Sequence, residues 1–105
     1  MTSKVGEVYL LDLRYPGKVR PIVIMSREGA QAPRALSLFV PLTTENRGTR
    51  YEVPMPRVPW LRLQGVANVQ ALGSVEHHEL TERRGRFETS VVAKIKDAIR
   101  YAFDL

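Results

Sequence analysis

GEVYLLDL at residues 6–13 followed by GKVRPIVIMS at 17–26 decides the fold, and VPLTTENRGT at 40–49 completes the reading. Residues 5–13 are rich in Val, Leu and Tyr and alternate imperfectly, which predicts a strand. RYPGK (14–18) is turn chemistry, because Pro fixes one φ and Gly accepts a positive one. Residues 19–26 predict a second strand, buried on both faces after Pro21. Pro21 has no N–H to give to a ladder, so it belongs at a strand start or an edge. A connection this short makes the two strands an antiparallel hairpin.

Outward from the hairpin, REGAQAPR (27–34) reads as a loop and ALSLFVPL (35–42) as a third strand ending at Pro41. TTENRGT (43–49) is a polar loop. Residues 50–65 carry Pro54, Pro56 and Pro59 and cannot form one regular element. They predict a short strand at 50–54 and an extended connection that lays Trp60 on the core. Residues 66–76 predict a strand bent or bulged near Gly73, and 77–88 a short helical turn plus a loop. Residues 90–103 predict a helix, with Val91 or Val92, Ile95, Ala98, Ile99 and Ala102 on a single face. Thr89 or Ser90 is the expected cap for its first N–H groups. Short strands plus a C-terminal helix make a mainly β, α+β domain: a small barrel-like antiparallel sheet with a helix packed on it. A barrel this small encloses no ligand, so function falls to the loops at strand ends.

A chain of 105 residues fits one domain, 1–105, around one core. No run of ~18 apolar residues is present, so no membrane span is expected. The N-terminus reads as a first strand and not as a signal peptide. The absence of cysteine excludes disulfides and thiolate chemistry and is compatible with a cytoplasmic location. The formal charge is +5 with a pI near 10.0, and 12 of the 16 basic residues are Arg. Arginine forks bind phosphate in a bidentate way, which points to nucleic acid or another polyanion. The plainer reading is that this charge keeps a small protein soluble.

Arg20 stands between two apolar residues where a turn becomes a buried strand. A charge there either pairs with Asp12 across the hairpin, snorkels to solvent, or aims a guanidinium at a phosphate. Thr43 and Thr44 follow the third strand, where a hydroxyl ordinarily closes onto the next backbone N–H. Tyr51, beside Arg50, is a candidate for stacking on a base, as is Tyr15, whereas Trp60 lies in an apolar context that suits a core or a dimer interface. ERRGR (82–86) reads as a solvated loop, with a phosphate-contacting rim or a dock for an acidic partner as the alternative. His77 and His78 are the two histidines; adjacent residues do not point the same way, and a solvated helix start is the simpler reading than acid–base catalysis. For zinc there is no Cys, no HExxH spacing and no obvious third ligand, so no metal or other cofactor is expected.

The order Gly6, Val8, Tyr9, Asp12, Leu13, then Arg20, Pro21 and Ser26, then Thr43 resembles the MazF/PemK (Kid-like) toxins, whose first strands read GxVYxxDL, xRPxxxxS and xxxT. Residues 65–80 resemble that family's buried strand, Gln-containing turn, second strand and short helix ending in Leu, and 90–103 its final helix. The resemblance implies an SH3-like/CcdB-like barrel and a metal-independent, sequence-specific endoribonuclease acting on single-stranded RNA by 2′-OH attack. Its catalytic pair falls on Arg20 and Thr43; Thr44, Arg14, Arg47, Arg50 and Tyr51 are then candidate substrate-binding residues. It also implies a homodimer and a cognate antitoxin with an acidic, flexible C-terminal segment. Two departures stand out. The first loop is only RYPGK, and Ala71-Leu72-Gly73 replaces a common Gln-x-Arg, so Arg14, Arg47 or Arg50 would have to supply the lost charge. Arginine stays protonated and is a poor base, which leaves Glu45, Glu76 and the histidines unranked as acceptors of the 2′-OH proton. The competing class is a non-catalytic RNA- or protein-binding barrel of the same fold. Its CcdB-like gyrase-inhibitor version is disfavoured by the ending YAFDL, which lacks that group's Trp-Gly pair.

Overall fold

The computed structural model describes residues 3–12, 19–28, 33–62 and 65–105. Strands β1 (Glu7–Asp12) and β2 (Val19–Ile24) pair antiparallel, Val8 opposite Val23 and Leu11 opposite Arg20. The expected hairpin is therefore present, although the turn at 14–18 and Arg14 itself lie outside the described residues. Ile22, Val23 and Ile24 are all fully buried, as two covered faces require. Pairing of β2 with β3 (Leu36–Thr43) begins at Ile22, one residue past Pro21, so the missing N–H falls where no β3 partner waits.

β3 runs to Thr43 and does not stop at Pro41. Along one edge it pairs first with β6 (Gly73–Glu76), over Leu36–Phe39, and then with β5 (Val66–Asn68), over Leu42–Thr43. Pro41 falls in the gap between those ladders, where a strand tolerates it. β4 (Glu52–Pro54) adds to β5, and β7 (Glu82–Arg86) adds to β1, giving the order β4-β5-β3-β2-β1-β7 with β6 branching from β3. The strands do not close into a ring; among the described residues the architecture is an open antiparallel sheet with one α-helix, within the expected α+β class.

Three expectations need correction. Residues 66–76 are two strands, not one bent at Gly73. Asn68 accepts a hydrogen bond from the Gln70 N–H at 3.1 Å and caps a 3₁₀ turn at Val69–Ala71 that separates them. ERRGR is not a loop but β7, whose backbone completes the free edge of β1 while its charges stay at the surface. Helix α1 (Thr89–Ala102) begins after Glu88, and neither Thr89 nor Ser90 caps it.

Two apolar clusters lie on opposite faces of the central strands. Val8, Val23, Val40 and Ala67 meet Ile95 and Ala98 of α1, while Tyr9, Leu11, Ile22, Ile24 and Phe39 meet Val75 and Leu80. Glu7, at the start of β1, is a buried charged residue. Its carboxylate accepts from the Lys4 N–H at 2.6 Å and from Arg83 Nε at 2.6 Å, which ties β1 to β7. Burial pushes the Glu7 carboxyl up, but Arg83 and the Lys4 N–H together hold it below its ordinary value. No helix among the described residues is long and apolar enough to cross a membrane.

Candidate active site

Arg20 opens β2 and Thr43 closes β3, and the two strands run antiparallel. Their register, Ile24 with Phe39 and Ile22 with Pro41, extended by one more pair of alternate positions sets Arg20 opposite Thr43. Opposite residues share a face, so both side chains enter the same space. That space is an open cleft of about 560 Å³ lined by Arg20, Thr43, Glu45, Arg47, Tyr51 and Gln70, among others. Among the described residues no hydrogen bond or ion pair engages the Arg20 guanidinium, and in the β1–β2 register Asp12 lies opposite Val19 while Arg20 lies opposite Leu11.

Thr43 does what turn chemistry predicts: its Oγ1 accepts the Glu45 N–H at 3.3 Å. A hydroxyl has one proton and two lone pairs, so this bond leaves the proton available to an anion in the cleft. The turn and a binding role are therefore compatible. Thr43 is also fixed from behind by β5. A Cβ on Gly65 would stand 2.6 Å from the Thr43 carbonyl oxygen, so only glycine lets β5 approach that closely.

The loop after Thr43 is shaped by one carboxylate. Glu52 accepts the Arg47 N–H at 3.0 Å through Oε2, and the Thr49 N–H at 3.0 Å and Thr49 hydroxyl at 2.8 Å through Oε1. These donors, Arg47 N–H first, hold its carboxyl below the ordinary range. Asn46 accepts the Gly48 N–H at 2.9 Å, and Gly48 takes a positive φ of 71°, so the chain reverses and Arg47 comes to the cleft wall. The Arg47 guanidinium lies 3.1 Å from Glu45 Oε1, an exposed pair that a phosphate can displace at little cost.

Of the residues expected in the site, Arg20, Thr43, Arg47 and Tyr51 line the cleft. Thr44 is exposed beside it without lining it. Arg50 lies elsewhere, its guanidinium 3.9 Å from the centre of the Tyr101 ring. Tyr51 meets that ring edge-on at 5.2 Å, which steadies one side of the tyrosine. Thr49, Glu52, Asn68 and Gln70 also line the cleft and were not singled out from sequence. The signal for the first two is the turn-forming run Asn46, Gly48, Thr49 followed by a carboxylate; for the last two it is a pair of amides in an otherwise apolar stretch. Glu45 borders the cleft, whereas Glu76, His77 and His78 do not. Glu76 and His78 contact each other at the end of β6, and with Glu79 their ligand atoms lie within 4.8 Å of one another. That cluster lies away from the cleft.

The family model for PemK-like, MazF-like toxins of type II toxin–antitoxin systems matches residues 4–103. No curated protein sequence matches the chain. Among solved structures, a mycobacterial endoribonuclease in complex with its cognate antitoxin is 27% identical with a TM-score of 0.85, over 98% of this chain and 96% of that one. The Mycobacterium tuberculosis toxin MazF-mt6 is 27% identical with a TM-score of 0.80, over 94% and 97% of the two chains. A Deinococcus radiodurans MazE–MazF structure shares the fold, with a TM-score of 0.80 at 19% identity over 100% and 98%.

Proposed function

The chain belongs to the PemK-like, MazF-like toxins of type II toxin–antitoxin systems, and from that premise we propose that it is an endoribonuclease that cuts single-stranded messenger RNA and so arrests translation and growth. The observation that carries this is that Arg20 and Thr43, at the adjoining ends of β2 and β3, line one cleft whose wall also holds Arg47, Glu45 and Tyr51. A guanidinium and a hydroxyl aimed at one point suit the oxygens of a phosphodiester, and Tyr51 offers a ring to a neighbouring base. The solved endoribonuclease–antitoxin and MazF structures at 27% identity support the same activity.

In this reading the RNA supplies its own nucleophile. The 2′-oxygen bonds to the adjacent phosphorus, the bond from phosphorus to the 5′-oxygen breaks, the departing 5′-oxygen takes up a proton from solvent, and the products end in a cyclic phosphate and a 5′-hydroxyl. Arg20 neutralises the charge that builds on the non-bridging oxygens, and Thr43 donates its proton to one of them. Arg47 supplies the second positive charge that the Ala71-Leu72-Gly73 stretch lacks. A permanently protonated guanidinium does not take the 2′-OH proton. Of the candidate acceptors, Glu45 is the one that borders the cleft, and we assign it that role. No metal or cofactor enters the scheme. An RNA carrying a single 2′-deoxy residue just before the cut phosphate is expected to survive at that site while the all-ribose strand is cleaved; equal cleavage of both contradicts 2′-OH attack.

The toxin acts as a cytoplasmic homodimer and is restrained by an antitoxin whose acidic segment occupies the basic cleft as an RNA mimic. Sedimentation at micromolar concentration tests the dimer, and a monomer there contradicts it.

A further inference from the structure

We propose that Tyr101, on the last turn of α1, is a positioning residue for the cleft: its ring holds the Tyr51 ring in the pose that receives a base. The inference rests on the reading of Tyr51 as the cleft's stacking residue and extends it to a helix residue that does not itself line the cleft.

The backbone of Tyr51 is fixed by its neighbours. Its N–H donates to the Thr49 Oγ1 at 3.3 Å, and its carbonyl accepts the Val69 N–H at 2.9 Å, which ties it to the turn between β5 and β6. These bonds set where the side chain starts and leave its χ angles free. A half-buried ring that swings loses that freedom when a base lands on it, and binding is weaker by that loss. Contact with Tyr101 removes the swing beforehand. The two rings meet with 5.2 Å between centroids and 64° between planes, the edge-on arrangement that aromatic quadrupoles favour.

Tyr101 is itself held. The Arg50 guanidinium stands 3.9 Å from the centre of its ring, within cation–π range. On the helix, Ala98 is buried one turn earlier, and Ile99 and Ala102 pack against the same core. The Tyr101 carbonyl accepts the Asp104 N–H at 3.2 Å, and Arg100 accepts the Leu105 N–H at 2.8 Å, so the helix end is closed by hydrogen bonds. Arg50, Tyr101 and Tyr51 thus form one assembly that runs from a cation at the surface to a ring on the cleft wall. It gives Arg50, which does not line the cleft, a part in binding through the two rings. Tyr101 is 40% exposed, so a leucine at that position suits the helix and leaves the core in place.

The test is a double-mutant cycle on the full-length protein, read as the Kd of a single-stranded oligodeoxynucleotide, which has no 2′-OH and is not cut. Tyr101→Leu is expected to weaken binding about three- to tenfold, and Tyr101→Phe, which keeps the ring, to restore the parental Kd. Tyr51→Leu/Tyr101→Leu is expected to bind no more weakly than Tyr51→Leu alone, because Tyr101 acts through a ring that is already gone. On cleavable RNA, Tyr101→Leu raises KM with kcat little changed. Additive losses in the double variant would overturn the proposal, since Tyr101 would then act on the strand or on the fold by itself. Parental binding by Tyr101→Leu would overturn it too. A parent that binds the strand and leaves RNA intact contradicts the nuclease, while the cycle still decides on Tyr101.

Discussion

Thr43 holds two hydrogen-bonding duties at one oxygen. It accepts the Glu45 N–H, which starts the loop, and it keeps a proton for the cleft. Thr43→Val retains the shape and removes both. The turn bond is at the surface and worth about 1 kcal/mol or less, so the variant is expected to fold with a nearly unchanged melting temperature. The loss of a donor to a developing charge is expected to slow cleavage about 10²-fold, read as single-turnover rate on a defined RNA. A parental rate in the folded variant would reduce Thr43 to a turn residue. Read alone, Arg20 is a charge entering a buried strand and Thr43 an ordinary turn hydroxyl; the resemblance to the toxin family is what singled the two out as a pair. That they face each other could not be read from the residues, since the pairing depends on the register of β2 with β3, which composition does not encode.

At the scale of the element, the loop from Thr43 to Glu52 decides how much of the cleft is preformed. Its three hydrogen bonds to Glu52 place Arg47 and Thr49 without touching the reacting phosphate. Glu52→Gln keeps an acceptor but loses the charge, and it is expected to raise KM about three- to tenfold with kcat little changed. A fall in kcat at constant KM would instead put Glu52 in the chemistry. The hairpin and the final helix were legible because their signals are local: turn residues between apolar runs, and a 3.6-residue stripe. β7 was not, because four of its five residues are exposed, and the contact that fixes it joins Arg83 to Glu7, 76 positions away. The break after β5 was hidden for a similar reason. Asn68 looks like any polar strand residue until its side chain is seen capping the next turn.

At the scale of the molecule, the same Glu7–Arg83 contact ties the first strand to the last and links stability to pH. Glu7 sits below its ordinary value of 4.5 when folded, so its contribution is fully present above that pH and is lost as pH falls through the lower folded value. Glu7→Gln is expected to cost about 1–3 kcal/mol at neutral pH, seen as a lower urea midpoint, and to flatten the acid limb of stability against pH. An unchanged acid limb would assign the dependence to other carboxylates. The net charge of +5 acts over the whole surface too, drawing RNA and acidic segments toward a molecule with an open cleft. What ties these scales together is the claim that the Arg20–Thr43 cleft cuts RNA. Its most direct test is digestion of a long single-stranded RNA in excess EDTA by the parent protein and by folded Arg20→Ala in parallel. Discrete fragments from the parent, with the variant slower by about 10²–10³-fold, are the expected result. Intact RNA with the folded parent, or equal fragments from both proteins, would contradict it: the first would leave a binding barrel without catalysis, the second would move the chemistry away from Arg20.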